Sequence, residues 1–186
     1  MKTAILLAGF LTVAIANSQQ TPAFMQKLAP LTGGELTTVE NHLPPSILNE
    51  AATRVPGQFS VLVLTGNNKT KNKNTARYLV QKTGETVYRV DLSQLVSRNL
   101  LTTKKNLEIA FELARKERSL LYFDEAEALF GRRSPVKDSH DRYDTYSIAY
   151  FVELVQKYRG GIVIAVYAEN NINPLVFEKY VRLIVK

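Results

Sequence analysis

The sequence contains no cysteine and only two histidines among its 186 residues. Without cysteine, the chain has no disulfide framework, no thiolate zinc site and no cysteine nucleophile. Two histidines cannot build a histidine-rich metal site, so we expect His140 and Asp141 to cap a helix or to form a subunit contact. No internal repeat or heptad pattern is present either. What remains is the composition of an ordinary globular domain, with 45% hydrophobic and 22% charged residues.

Basic residues exceed acidic ones, with 24 Lys and Arg against 17 Asp and Glu and a net charge of +7. An excess of this kind favours weak, non-specific binding to polyanions. The lysines that would contribute are Lys69, Lys71, Lys73, Lys104 and Lys105. Because the chain shows neither aromatic stacking positions nor a recognised motif, we expect no specific nucleic-acid binding.

Residues 1–18 have the pattern of a secretory signal peptide. Lys2 is followed by a short apolar run and then by small residues at the spacing of a cleavage site. The run is short for a membrane span, which takes about 20 residues; a buried first helix and an uncleaved anchor are the alternatives. We expect cleavage near Ala16 or Ser18 and export to the periplasm or the medium. If this segment is not a signal peptide, we expect a cytoplasmic protein.

The rest of the chain divides at about residue 59. Residues 19–58, rich in Pro, Thr, Gly and polar residues, predict a linker with one covering helix at 46–52. Residues 59–186 alternate apolar strand-like runs with amphipathic helical segments. Strands are predicted at Ser60–Thr65, Thr86–Asp91, Ser119–Phe123, Gly161–Tyr167 and Arg182–Val185. This alternation predicts an α/β domain with a parallel sheet covered by helices on both faces.

Two adjacent carboxylates, Asp124 and Glu125, end the apolar strand that begins near Leu120. This is the layout of a Walker B element, in which the first carboxylate holds the Mg²⁺ shell and the second activates the attacking water. The alternative is that the pair caps the next helix or pairs with Arg132 and Arg133. We interpret Glu127 as structural.

A phosphate-binding loop of the form G-x-x-x-x-G-K-[ST] is expected after the first buried strand, but the sequence from Gly66 to Lys73 reads GNNKTKNK. In such a loop, glycines let backbone N–H groups surround the phosphates, the lysine bridges the outer phosphates and the hydroxyl binds Mg²⁺. Here Lys69 and Lys71 replace glycines, Asn72 replaces the lysine and Lys73 replaces the hydroxyl. Two interpretations stay open, a loop that holds a phosphate loosely at a helix N-terminus and a solvated lysine-rich turn.

Residues 55–186 resemble the large subdomain of an AAA+ ATPase, most closely the AAA-type proteins that accompany bacterial contractile injection systems and their phage-tail-like relatives. The segments that carry the resemblance are 88–93, 105–107 and above all 123–143, and a family loop GPPGTGKTLTA also matches at Gly66, Thr70, Thr75 and Ala76. The resemblance implies a three-layer P-loop NTPase sandwich with a five-stranded parallel sheet. The helical lid of the family would be absent, because the sequence ends just after the last predicted strand.

Other positions of the family pattern differ. The asparagine of sensor 1 falls at Tyr167, with Asn170 as a distant substitute. The arginines that reach a neighbouring subunit fall near Glu178 and Lys179, with Arg182 as a weak candidate. The segment 99–102, where an aromatic pore loop is expected, contains no aromatic residue.

These differences predict an exported, degenerate AAA+ domain, a pseudo-ATPase that serves as a binding or assembly module for a protein partner or an AAA+-like oligomer. The alternative is a weak ATPase in which Lys71 or Lys73 replaces the missing lysine. In that case the predicted nucleotide-binding residues are Gly66, Lys69, Thr70, Lys71, Asn72 and Lys73, with Glu125 and Asp124 as catalytic residues and Asp124 as the ligand of Mg²⁺ beside ATP. We further expect Asp124 and Gly66 at the carboxyl ends of neighbouring strands.

Overall fold

The computed structural model of the chain describes residues 21–53, 55, 60–81, 83–130, 141–167 and 181–184. The predicted signal peptide lies outside these ranges. None of the helices within them has the length and apolar character needed to span a membrane. The strands are β1 (Met25–Leu28), β2 (Ser60–Thr65), β3 (Val87–Asp91), β4 (Leu120–Asp124), β5 (Gly161–Val166) and β6 (Val181–Ile184). The helices are α1 (Gly33–Glu40), α2 (Pro45–Thr53), α3 (Lys69–Gln81), α4 (Leu92–Leu95), α5 (Leu100–Glu117), α6 (Glu127–Phe130) and α7 (Asp141–Lys157).

The six strands form one sheet in the order β1-β3-β4-β5-β2-β6. All neighbours from β3 to β6 run parallel, and this confirms the five predicted strands and the α/β class. The sixth strand, β1, was not predicted, and it pairs antiparallel with β3 at the edge.

Apolar residues of alternating strand positions face two separate cores. In β2, Val61 and Val63 belong to the core under α4 to α7, whereas Leu62 and Leu64 belong to the core under α1 to α3. The first core contains an aromatic cluster in which Phe111 of α5 lies 5.6 Å from the ring centre of Phe123. Burial of both strand faces explains why these strands are apolar throughout, and it produces the predicted three layers.

Two predictions need correction. The segment before the predicted covering helix is not simply a linker, because β1 joins the sheet and α1 packs on α3. The covering helix itself is present as α2, with Ile47 and Ala51 buried. Asp124 and Gly66 do not follow neighbouring strands, because β5 lies between β2 and β4.

Candidate functional site

Two side chains and one loop meet at the carboxyl edge of the parallel strands. Asp124 ends β4, Tyr167 follows β5 and Gly66 follows β2. The Gly66 amide donates to the Val166 carbonyl at 3.1 Å, which holds the start of the loop against β5. The φ angle of Gly66 is 150°, a conformation that residues with a Cβ rarely adopt, and this explains the glycine.

The loop after β2 is short, because α3 begins at Lys69. Asn68 fixes this start, since its Oδ1 accepts a hydrogen bond from the Lys71 amide at 3.0 Å. The sequence-predicted loop residues Lys69, Thr70, Lys71, Asn72 and Lys73 therefore lie in the first turns of a helix. Of the predicted basic loop, only 66–68 is a loop, whereas the basic residues form the N-terminus of α3. A segment of three residues, 66–68, has too few backbone amides to surround a phosphate chain.

Asn72, at the position of the family lysine, is fully buried. Its Nδ2 donates to the Gly66 carbonyl at 3.3 Å, which ties the helix back to the loop. Its Oδ1 and the hydroxyl of buried Thr65 have no hydrogen-bond partner in the described part of the protein. A neutral amide in this position contributes no positive charge to the site.

Both carboxylate oxygens of Asp124 are engaged by other side chains. Oδ2 accepts from Arg89 Nε at 2.6 Å in an ion pair, and the Asp124 side chain is only 5% exposed. Oδ1 accepts from the Tyr167 hydroxyl, from the Tyr122 hydroxyl at 3.3 Å and from the Glu125 amide at 3.1 Å. A Mg²⁺ ion bound through this carboxylate would have to displace these donors.

Arg89 also forms an ion pair with Asp91, in which Arg89 Nη2 lies 3.2 Å from Asp91 Oδ2. Strand register explains the cluster, because Asp91 and Asp124 are Cα partners across β3 and β4 and Arg89 lies two residues before Asp91. Burial opposes the charge on this guanidinium, but hydrogen bonding and charge attraction from Asp124 raise the pKa of Arg89. The hydrogen bond from Ser93 and the charge of Arg89 outweigh burial and lower the pKa of Asp91. Arg89 is therefore a cation with two carboxylate partners.

Tyr167 takes the position expected for sensor 1, and its hydroxyl contacts Asp124. Glu127 fixes its backbone, because Glu127 Oε1 accepts a hydrogen bond from the Tyr167 amide. Burial and the neighbouring Asp124 raise the pKa of Tyr167, and burial raises that of Tyr122 in the same way. Both phenols are therefore protonated at neutral pH and donate hydrogen bonds.

Glu125 pairs with Lys69 at the entrance to the site. Lys69 Nζ contacts Glu125 Oε1 and lies 5.4 Å from the ring centre of Tyr167. The hydrogen bond to Glu125 raises the pKa of Lys69. Glu125 itself has a φ of 57°, a left-handed conformation that costs a residue with a Cβ about 1–2 kcal/mol. Non-glycine residues in such conformations are concentrated at functional sites.

The structure brings the predicted Asp124, Glu125, Gly66, Lys69 and Asn72 to one edge of the sheet. The lysine that contacts Glu125 is Lys69, whereas Thr70 and Lys71 face a different cavity between α1 and α3, of about 240 Å³. Several other predicted positions lie outside the described side chains, namely Arg132, Arg133, His140, Asp141, Asn170, Glu178, Lys179 and Arg182.

Sequence reasoning missed Arg89, Tyr122 and the contact of Tyr167 with Asp124. A detectable feature was the arginine within the otherwise apolar stretch Val87–Val90, because a buried charge requires a partner. The segment expected to be a pore loop is instead the start of α5, where Asn99 Oδ1 accepts from the amides of Leu101 and Thr102. The Leu101 side chain is exposed there.

The sheet order, the carboxylate pair after β4 and the helix after β2 define a P-loop NTPase type of domain. The model of the ATPase family associated with various cellular activities (AAA) matches residues 62–180, more than half of the chain, so the protein belongs to this family. None of the curated proteins compared with the chain matches it. AAA domains typically bind ATP with Mg²⁺. Among the side chains that the structure describes here, no group of three or more His, Asp or Glu could hold a metal ion.

Proposed function

We propose that this protein is a pseudo-ATPase of the AAA family, a domain that keeps the fold but serves as a binding or assembly module. The observation that carries the proposal is the state of Asp124, whose two oxygens are bound by Arg89 and by tyrosine hydroxyls. The guanidinium of Arg89 balances the charge of this carboxylate, and the hydroxyls satisfy its other oxygen. The carboxylate that should hold the Mg²⁺ shell is already satisfied.

The loop after β2 supports the same proposal. Asn68 in this loop is the N-cap of α3, so the Lys71 amide already has an acceptor. Asn72 donates a hydrogen bond to the Gly66 carbonyl, and Lys69 forms an ion pair with Glu125. The residues present do not fit a Mg-nucleotide, because the loop lacks the family lysine and the Mg²⁺-binding hydroxyl and the carboxylates are paired with cations.

Calorimetric titration of the full chain with ATP and Mg²⁺ tests this proposal. We expect no saturable binding at ATP concentrations up to the millimolar range and no turnover above background. Loss of an arginine finger alone lowers the rate of hydrolysis by about 10³ or more. A site that also lacks the loop lysine should therefore show no measurable hydrolysis. Turnover at ordinary ATPase rates that disappeared in Glu125→Gln would contradict the proposal.

The alternative function is a weak or atypical ATPase. The contact that favours it is that of Lys69 with Glu125, since it brings a cation to the carboxylate pair. Under this alternative Lys69, and not Lys71 or Lys73, would replace the missing loop lysine. ATP binding that was lost in Lys69→Met but retained in Lys105→Met would favour the alternative.

The proposal extends to partner and location. The resemblance of residues 123–143 to AAA-type proteins of contractile injection systems supports a role in a protein assembly, and the pattern of residues 1–18 supports export. ATP is scarce outside the cytoplasm, which agrees with loss of hydrolysis. N-terminal sequencing of the mature protein should start at or near Asn17 or Gln19, and an intact Met1 on cytoplasmic protein would contradict export.

A further inference from the structure

A second cavity lies at the opposite, amino edge of the sheet. It has a volume of about 460 Å³, and its lining includes Arg115, Arg118, Arg159 and Ser119. Ser119 and Gly160 directly precede β4 and β5, so this cavity is separated from Asp124 and Tyr167 by the length of the strands. Nothing in the candidate site described above uses it.

Two helices bring the arginines together. Because α5 and α7 each return from a parallel strand to the next, both helices end at the amino edge of the sheet. Arg115 lies in the last turn of α5, Arg118 follows that helix and Arg159 follows α7. Cations are favourable at a helix C-terminus, and this alone would explain each arginine separately. It does not explain why all three line one cavity.

The three guanidinium groups have no ion pair with any carboxylate among the described residues. Glu85 is the acidic residue of the lining, and it also accepts a hydrogen bond from Thr83 at 3.0 Å. The cavity wall therefore has an excess of positive charge. A concave wall with an excess of one charge attracts ligands of the opposite charge.

The backbone at two residues of the cavity lining, Arg118 and Gly160, also has special requirements. Arg118 has a φ of 49° at the end of α5, a position where glycine is the usual residue. Gly160 is required on the opposite wall, because a Cβ there would lie 2.6 Å from the Tyr158 ring. The Tyr158 hydroxyl donates to the Ser119 carbonyl, which fixes this ring in the cavity lining.

We propose that the cavity lined by Arg115, Arg118 and Arg159 binds a phosphoryl group of a small anionic ligand. Guanidinium groups match phosphate oxygens in paired hydrogen bonds, and three of them would balance the two to three negative charges of a phosphate ester or pyrophosphate. A free phosphorylated metabolite and a phospholipid headgroup offer the same chemistry. The proposal is independent of nucleotide binding at the other edge of the sheet.

Titration of the full chain with inorganic pyrophosphate at low salt tests the proposal, and flotation with phosphatidylcholine vesicles, with and without phosphatidic acid, tests the lipid source. The variants are Arg118→Gly, which keeps the left-handed backbone, and Arg159→Ala. Arg98→Ala is the matched control, because it removes a guanidinium from an exposed position just before α5, at the other end of that helix. Loss of one charge-assisted contact should raise the Kd about tenfold or more.

Pyrophosphate binding that is weakened in both Arg118→Gly and Arg159→Ala and unchanged in Arg98→Ala would support a soluble ligand. Binding only to vesicles with phosphatidic acid, with the same pattern among the variants, would support a headgroup. The proposal is overturned if neither probe binds the wild-type protein. It is also overturned if Arg98→Ala weakens binding as much as Arg118→Gly and Arg159→Ala, since the charge effect would then be non-specific.

Discussion

At the carboxyl edge of the sheet, Arg89 pairs with Asp91 and Asp124 and Lys69 pairs with Glu125, whereas at the amino edge Arg115, Arg118 and Arg159 share a cavity without ion pairs in the described residues. The edge where this family typically binds its nucleotide is thus neutralised by its own side chains. The amino edge keeps an excess of positive charge.

The contrast follows from where each charge sits. Arg89 lies within a strand whose neighbours are buried, so carboxylate partners are needed to offset the cost of burying its charge. The three arginines lie at helix ends that face solvent, where an unpaired guanidinium is hydrated and costs little. Charge that is compensated internally stabilises the fold, while charge that is left uncompensated is available for a ligand.

The largest expected effect on stability comes from removing Arg89, which compensates the carboxylates at the carboxyl edge. Arg89→Ala leaves Asp124 buried at 5% exposure without its cation, and removal of one partner of a buried pair costs about 3 kcal/mol or more. The free energy of unfolding, measured by urea titration, should fall by this amount.

Lys27→Ala is the control, because the ion pair of Lys27 with Glu117 spans 3.8 Å between exposed side chains. Its loss should cost at most about 1 kcal/mol. The double variant Arg89→Met with Asp124→Asn should recover part of the stability lost in Arg89→Ala. If Arg89→Ala were no more costly than Lys27→Ala, the compensation at this edge would be unimportant for stability.

The fold was largely predictable because its signals are local. Long apolar runs bounded by turns identify β2 to β6, and the spacing of Leu107, Ala110, Phe111 and Ala114 predicts the buried face that α5 shows. The strand β1 was not predictable in this way. It has four residues, MQKL, without β-branched or aromatic side chains, and it exists because β3 offers an open edge.

The site was predictable in part. The positions of Asp124, Glu125 and Gly66 at the carboxyl ends of strands follow from the sequence pattern. The start of α3 at Lys69 depends on the Asn68 cap, which competes with a longer loop. The contacts of Asp124 with Arg89 and Tyr167 join residues that are 35 and 43 positions apart, so only the strand order determines them. Residue types alone therefore gave the location of the site but not its internal pairing.

Tyr167→Phe removes one donor from Asp124 and keeps the aromatic ring beside Lys69. We expect a loss of about 1 kcal/mol in the free energy of unfolding, because the carboxylate retains Arg89 and Tyr122. A loss near that of Arg89→Ala would mean that the hydroxyl, and not the guanidinium, compensates Asp124.

The same variant predicts a pH dependence. The pKa of Tyr167 is raised in the folded protein by burial and by Asp124, while an unfolded tyrosine titrates at about pH 10. Its contribution is therefore complete below about pH 10 and is lost as the pH rises from there through the folded pKa. The difference in unfolding free energy between wild type and Tyr167→Phe should be constant from neutral pH to about pH 9 and should shrink above about pH 10.

The smallest expected effect compares two left-handed residues, one at each edge. Arg118 has a φ of 49° and Glu125 a φ of 57°, so glycine would relieve backbone strain at both positions. Arg118→Gly removes a side chain without an ion pair among the described residues, and the free energy of unfolding should rise by about 0.5 kcal/mol. Glu125→Gly relieves similar strain but loses the contact with Lys69, so its gain in unfolding free energy should be smaller or absent.

Parallel urea titrations at low and high salt check the comparison, because the difference in unfolding free energy between the two variants should narrow as salt screens the Lys69–Glu125 pair. A larger gain for Glu125→Gly than for Arg118→Gly at low salt would show that the charges at the carboxyl edge are not compensated by their partners.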